Sequence, residues 1–84
     1  MIVIVEVMPK EGILDPQGVA VRNALHQLSY NEVKEVKVGK RIVLDVDTED
    51  ADMARKRAEE MGSTLLANEN VETFRVILPE GVSA

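Results

Sequence analysis

The sequence predicts an α+β fold, a ferredoxin-like βαββαβ sandwich in which a four-stranded antiparallel sheet carries two helices on one face. Three observations predict it. The chain opens and closes on β-branched runs that stop at prolines. Two intervening segments place apolar residues at helical spacing. The middle of the chain alternates apolar and polar residues on both sides of Gly39-Lys40. At 84 residues it is expected to form a single domain, 1–84, and one of that size buries only about 60% of the surface its unfolded chain exposes.

Ile2 to Met8 is dense in Val and Ile and ends at Pro9, which has no donor to continue a ladder, so it reads as the first strand. The connection that follows, Met8 to Gly18, holds two prolines, two glycines and an aspartate placed to cap a helix just ahead of Pro16. Such a loop is shaped rather than merely flexible. Val21, Ala24, Leu25 and Leu28 then recur as an apolar stripe on a helix starting at Pro16 and finishing near Ser29 or Tyr30. Val33 to Val38 alternates, as do Ile42, Leu44 and Val46 beyond Gly39-Lys40, and the pair reads as a hairpin.

Thr48 is placed to cap a second helix with the apolar stripe Ala51, Ala54, Ala58, Met61 and Leu65, and Glu49 and Asp50 meet the positive end of its dipole. Gly62 either ends that helix or is passed by it on the way to Ala67, since Leu65 and Leu66 continue the spacing. Val71 to Leu78 forms the last strand, with Phe74, Val76 and Leu78 on one face; Pro79 terminates it, and a flexible tail over 79–84 is expected. If one face of the sheet holds the helices, then Ile2, Ile4, Val43 and Ile77 lie on the other. An apolar second face of that kind predicts a partner, most simply another copy of the chain.

Composition excludes several functions. Fifteen Asp and Glu outnumber ten Lys and Arg, for a net charge of −5, which disfavours a nucleic-acid backbone as partner. Tyr30 and Phe74 are the only aromatic residues, so stacking platforms for single strands are missing too. Glu6 interrupts the short apolar start, which therefore reads as neither a membrane span nor a signal peptide, and a cytoplasmic location is expected. The thin aliphatic core has no cysteine to reinforce it, which again favours association with other subunits.

Residues that carry chemistry are sparse. His26 is the only imidazole and sits on the polar side of its helix, where it reads as a surface side chain. Asp45, Asp47, Glu49, Asp50 and Asp52 fall on an alternating strand and a rotating helix, so they do not converge as metal ligands. Lys10, Gly12, Gly18 and the first helix's amino end offer a loose anion cradle, but a P-loop is excluded because its lysine follows the glycines. Lys37, Lys40 and Arg41 make the expected hairpin turn basic.

The run Pro9-Lys10-Glu11-Gly12-Ile13-Leu14-Asp15-Pro16-Gln17-Gly18 resembles the signature of the PurS family, the small subunit of phosphoribosylformylglycinamidine (FGAM) synthase. Ala24-Leu25, Leu28, Tyr30, Val33, Val36 and Val38-Gly39-Lys40 resemble the family's next segment, and Leu65-Leu66-Ala67-Asn68 its Leu-Leu-Ala-Asn before the last strand. The resemblance covers essentially the whole chain. Departures are Glu69 where proline is usual, Ser29 where glycine is common, Lys37 where arginine is common and Phe74 for a frequent tyrosine; none touches the loop signature.

The resemblance implies a subunit without catalytic residues of its own, working as a homodimer or a dimer of dimers. Its implied partners are a PurL-type synthetase, which uses ATP and Mg, and a PurQ-type glutaminase, which releases ammonia; the chain itself holds no cofactor and no metal. The implied interface is Lys10, Gly12, Asp15, Gln17 and Gly18 in the loop, Gly39 and Lys40 in the hairpin, and Asn68 before the last strand. Asp15, Gly12, Gly18 and Asn68 equally suit caps and turns, whereas backbone geometry does not demand the side chains of Lys10, Gln17 and Lys40. Two rival readings share the topology. An acylphosphatase would need an arginine where this loop has only Lys10, and a small-molecule regulatory module would bind ligands between paired domains.

Overall fold

A computed structural model describes residues 1–79; the tail beyond, 80–84, where flexibility is expected, lies outside the described residues. The elements are β1 (Ile2–Pro9), α1 (Pro16–Gln27), β2 (Lys40–Asp45), α2 (Ala51–Met61) continued by a π turn (Gly62–Leu66), and β3 (Glu72–Ile77). β1 is central and antiparallel to both neighbours, in the order β2-β1-β3. Its register sets Val5 opposite Ile42 and Val76, and Glu6 opposite Arg41 and Arg75.

The alternation of β1 divides the sheet as the sequence predicts. Val3, Val5 and Val7 are fully buried on one face, against Ala54 and Ala58 of α2 and Ala67, with Ile42, Leu44, Phe74 and Val76 packed around them. Alanines on the buried stripe of α2 let the helix approach β1 and β3 closely. Gly62 serves the same end, because a side chain there would overlap the Phe74 ring. The helix accordingly does not stop at Gly62. It widens by one residue, and the Ala67 amide donates to the Gly62 carbonyl at 3.0 Å.

Four expectations are corrected. First, the sheet has three strands among the described residues, not four: residues 33–38 join no ladder and Gly39-Lys40 is not a turn. Instead the chain runs on past the end of β1, alongside the 10–15 loop and the start of α1. Gly39 passes so close to the Val7 carbonyl and the Met8 sulfur that a Cβ would overlap both. Second, α1 does not lie on the sheet. With the 10–15 loop and residues 31–38 it forms an arm projecting from the sheet's end, and the Cα radius of gyration is 16.1 Å, where a compact chain of this length has about 12 Å. Third, Asp50 rather than Thr48 caps α2: its carboxylate accepts from the amides of Asp52 (3.0 Å) and Met53 (3.2 Å), while Thr48 accepts from Asp50. Fourth, His26 is half-buried, and its Nε2–H donates to the Val33 carbonyl at 2.7 Å. Among the described residues, no helix is long and apolar enough to cross a membrane.

A candidate docking site where the arm leaves the sheet

The eight residues singled out in the sequence gather toward one end of the sheet, where β1 ends, β2 and β3 begin, and the arm departs. Asp15 organises the arm. It stands in extended conformation as the cap of α1, and its carboxylate accepts from the amide of Gln17 at 3.1 Å and from that of Val38 at 2.8 Å. One side chain thus starts the helix and fastens the returning strand-like segment to it. The Val38 amide, then that of Gly18, holds the Asp15 carboxyl below the usual carboxylate range, outweighing partial desolvation.

Gly18 is buried because the Val36 carbonyl occupies the place of a Cβ. Gly12 has a different reason to be glycine: its φ is +80°, with open space around it. Just before Gly12, Glu11 receives a hydrogen bond from Lys37 Nζ at 2.6 Å, which lowers the carboxyl pKa and raises that of the ammonium. The Glu11 side chain is 93% exposed, so the pair guides the arm more than it stabilises it.

Lys10 points the other way. Its amide donates to Val71 at 2.9 Å, and it borders a hollow with Glu69, Glu72, Thr73 and Phe74, whereas Gly18 borders a separate one of about 310 Å³ with Leu14, Arg22 and Lys34. Lys10 and Gly18 thus line separate hollows, and the loose anion cradle that the sequence offered only weakly is not assembled. Asn68 shapes the turn into β3: its Oδ1 accepts from Asn70, its carbonyl from Val71 and Glu72, and its amide donates to Glu72 Oε1. Gln17 and Lys40 expose their side chains. The row Arg41–Glu6–Arg75 across the outer sheet face was not singled out in the sequence; Arg75 binds Glu6 at 2.8 Å and Arg41 lies 3.9 Å away. Strand alternation alone places Glu6 on that face, but only the register reveals its partners.

The family model described as PurS, phosphoribosylformylglycinamidine (FGAM) synthase, matches residues 2–80. This chain belongs to the PurS family. It is 43% identical over 74 residues to the PurS subunit of that synthase from Bacillus subtilis, covering 88% of this chain and 87% of the relative. The Archaeoglobus fulgidus subunit is 32% identical over 80 residues, covering 95% and 100%. The solved structure of B. subtilis PurS superposes with a TM-score of 0.81 at 43% identity, over 94% of this chain and 98% of that one. A chain in the structure of PurLQS from Thermotoga maritima gives 0.80 at 26% identity, over 90% and 93%. As a PurS subunit the chain is part of FGAM synthase in purine biosynthesis, where the complex is the enzyme.

Proposed function

We propose that this chain is the non-catalytic bridge of its FGAM synthase, holding a PurQ-type glutaminase against a PurL-type synthetase. The complex converts formylglycinamide ribonucleotide (FGAR), ATP, glutamine and water to FGAM, ADP, phosphate and glutamate, and the synthetase is the subunit that uses ATP and Mg. The bridge raises the effective concentration of one active site beside the other and limits loss of ammonia to water. The observation that carries this reading is the likeness over nearly the whole chain to a protein solved within PurLQS.

On this reading Lys10, Gln17 and Lys40 meet the other subunits through their side chains, while Gly12, Asp15, Gly18, Gly39 and Asn68 hold the backbone that presents them. The chain acts as one unit in the cytoplasm. It works as a homodimer or a dimer of dimers, and the four-stranded, two-helix sandwich is completed between copies. Exposed Ile2 and Val43 on the outer sheet face and exposed Leu14, Val21 and Leu28 on the arm support self-association.

Glutamine-dependent FGAM synthesis by the matching PurL- and PurQ-type subunits, with and without this chain, tests the proposal, with ammonia-dependent synthesis as control. The chain is expected to restore the first rate and barely change the second. No response in either, with no complex formed, overturns it.

A further inference from the structure

Arg22 is the only arginine of the arm, and among the described residues it has no partner. Its side chain is half-buried, its Nε is shut off from solvent with no acceptor in reach, and its other nitrogens enter no ion pair or hydrogen bond there. A buried, unmet donor on a charged group costs stability unless something outside the chain supplies the acceptor. With Nε shut in, the two Nη groups are the donors left for a ligand.

Arg22 borders the hollow of about 310 Å³ between the start of α1 and residues 34–36. Lys34 borders it from the returning segment; it is exposed and enters no ion pair among the described residues. The carboxylates at the same hollow are already engaged. Asp15 accepts from the amides of Gln17 at 3.1 Å and Val38 at 2.8 Å, and Glu35 acts on Lys37, whose pKa is raised by the Glu11 bond first and by the Glu35 charge as well. Two positive charges are therefore left uncompensated beside the apolar Val19 and Val36 and beside Leu14, which is 77% exposed.

A carboxylate on a short hydrocarbon stem fits such a hollow: a guanidinium fork takes its two oxygens, an ammonium adds a point charge, and apolar walls take the stem. The hollow shares Asp15 and Gly18 with the candidate docking site. Arg22 lies about 100° around α1 from the exposed Val21 and Leu28, so this surface is distinct from the arm's apolar stripe. We infer that Arg22 and Lys34 clamp an Asp or Glu side chain presented by another subunit of the synthase. Arg22, half-buried, is the anchor of the contact, and Lys34, exposed, steers the carboxylate toward it.

The inference rests on the proposed bridging function, and its test reads binding rather than synthesis. Association of the full chain with the matching PurL- and PurQ-type subunits is followed by sedimentation at low and high salt. Wild-type binding is expected to weaken with salt, Arg22→Gln to weaken it roughly thirtyfold and Lys34→Gln about threefold, each with a shallower salt dependence. Arg22→Lys keeps the charge but not the fork and should recover only part of the loss. Both Gln variants are expected to keep the wild-type unfolding midpoint and self-association, and the exposed Lys34 keeps the test open should Arg22→Gln fail to fold. Wild-type binding in the doubly substituted chain overturns the clamp. Loss of self-association in Lys34→Gln would mean that a second copy fills the hollow, and it overturns the clamp as well. A wild-type chain that binds neither subunit overturns the clamp together with the bridging function, whereas one that bridges while the doubly substituted chain binds as tightly overturns the clamp alone.

Discussion

At the scale of single residues, the arm depends on positions whose backbone demands are visible in the structure. Asp15 was legible as a cap because capping is local. Its bond to Val38, 23 residues away, was not, because no local pattern encodes it. Its lowered pKa gives a pH signature. A carboxyl whose folded pKa lies below the unfolded value of about 3.9 contributes stability that is fully present above that value and is lost as pH falls through the folded one. The amide resonances of Val38 and Gln17 are therefore expected to hold steady from neutral pH down to about 5 and to titrate only below about 4, and Asp15→Asn should abolish the titration. A wild-type titration of these amides centred at or above the ordinary carboxyl value of about 3.9 would show that the carboxylate does not fasten the arm.

Ser29 supplies a second residue-level test. It lies just past α1 at φ 76°, and the amide of Tyr30 closes back on the Leu25 carbonyl at 2.9 Å, a helix ending that favours glycine. Ser29→Gly should stabilise the arm by about 1 kcal/mol in urea unfolding followed by helical circular dichroism. A loss of stability would mean that the serine is held there by something other than this ending.

At the scale of elements, the strands and helices that were legible are those whose periodicity agrees with their packing. β1 and β3 alternate because one face meets α2, and the alanine stripe of α2 marks its contact with β1 and β3. The hairpin failed for a tertiary reason. Residues 33–38 do alternate, but the capping carboxylate of Asp15, the Lys37–Glu11 pair and the close passage of Gly39 over Val7 and Met8 hold them beside the arm loop rather than beside β2. The start of α2 was misplaced for a smaller reason: Thr48 and Asp50 are both good caps, and only geometry shows which one faces the free amides. Asp50→Ala should thus cost about 1 kcal/mol in urea unfolding and Thr48→Ala less, and the reverse order would return the cap to Thr48.

At the scale of the whole molecule, the chain is elongated, leaves the apolar stripe of α1 exposed and rests on a thin aliphatic core, the last of which composition already indicates. The candidate site was legible as a set of residues because the loop signature is long. Its division into backbone-shaping and outward-facing members was only half legible, because close approaches such as Gly18 to Val36 leave no trace in local sequence. That division makes a prediction. Lys10, Gln17 and Lys40 do not shape the backbone through their side chains, so replacing all three by alanine should leave the unfolding midpoint and self-association near wild type. If they face the synthetase or glutaminase, the same variant should lower glutamine-dependent synthesis about tenfold or more, in proportion to the binding lost, with ammonia-dependent synthesis unchanged. Gly18→Ala should do the opposite, costing about 1–3 kcal/mol by forcing the helix off Val36 and losing the bridge through disorder of the arm. Wild-type glutamine-dependent activity in the triple variant would move the contact surface away from this end of the sheet, and the outer face with Arg41, Glu6 and Arg75 would be the next surface to alter.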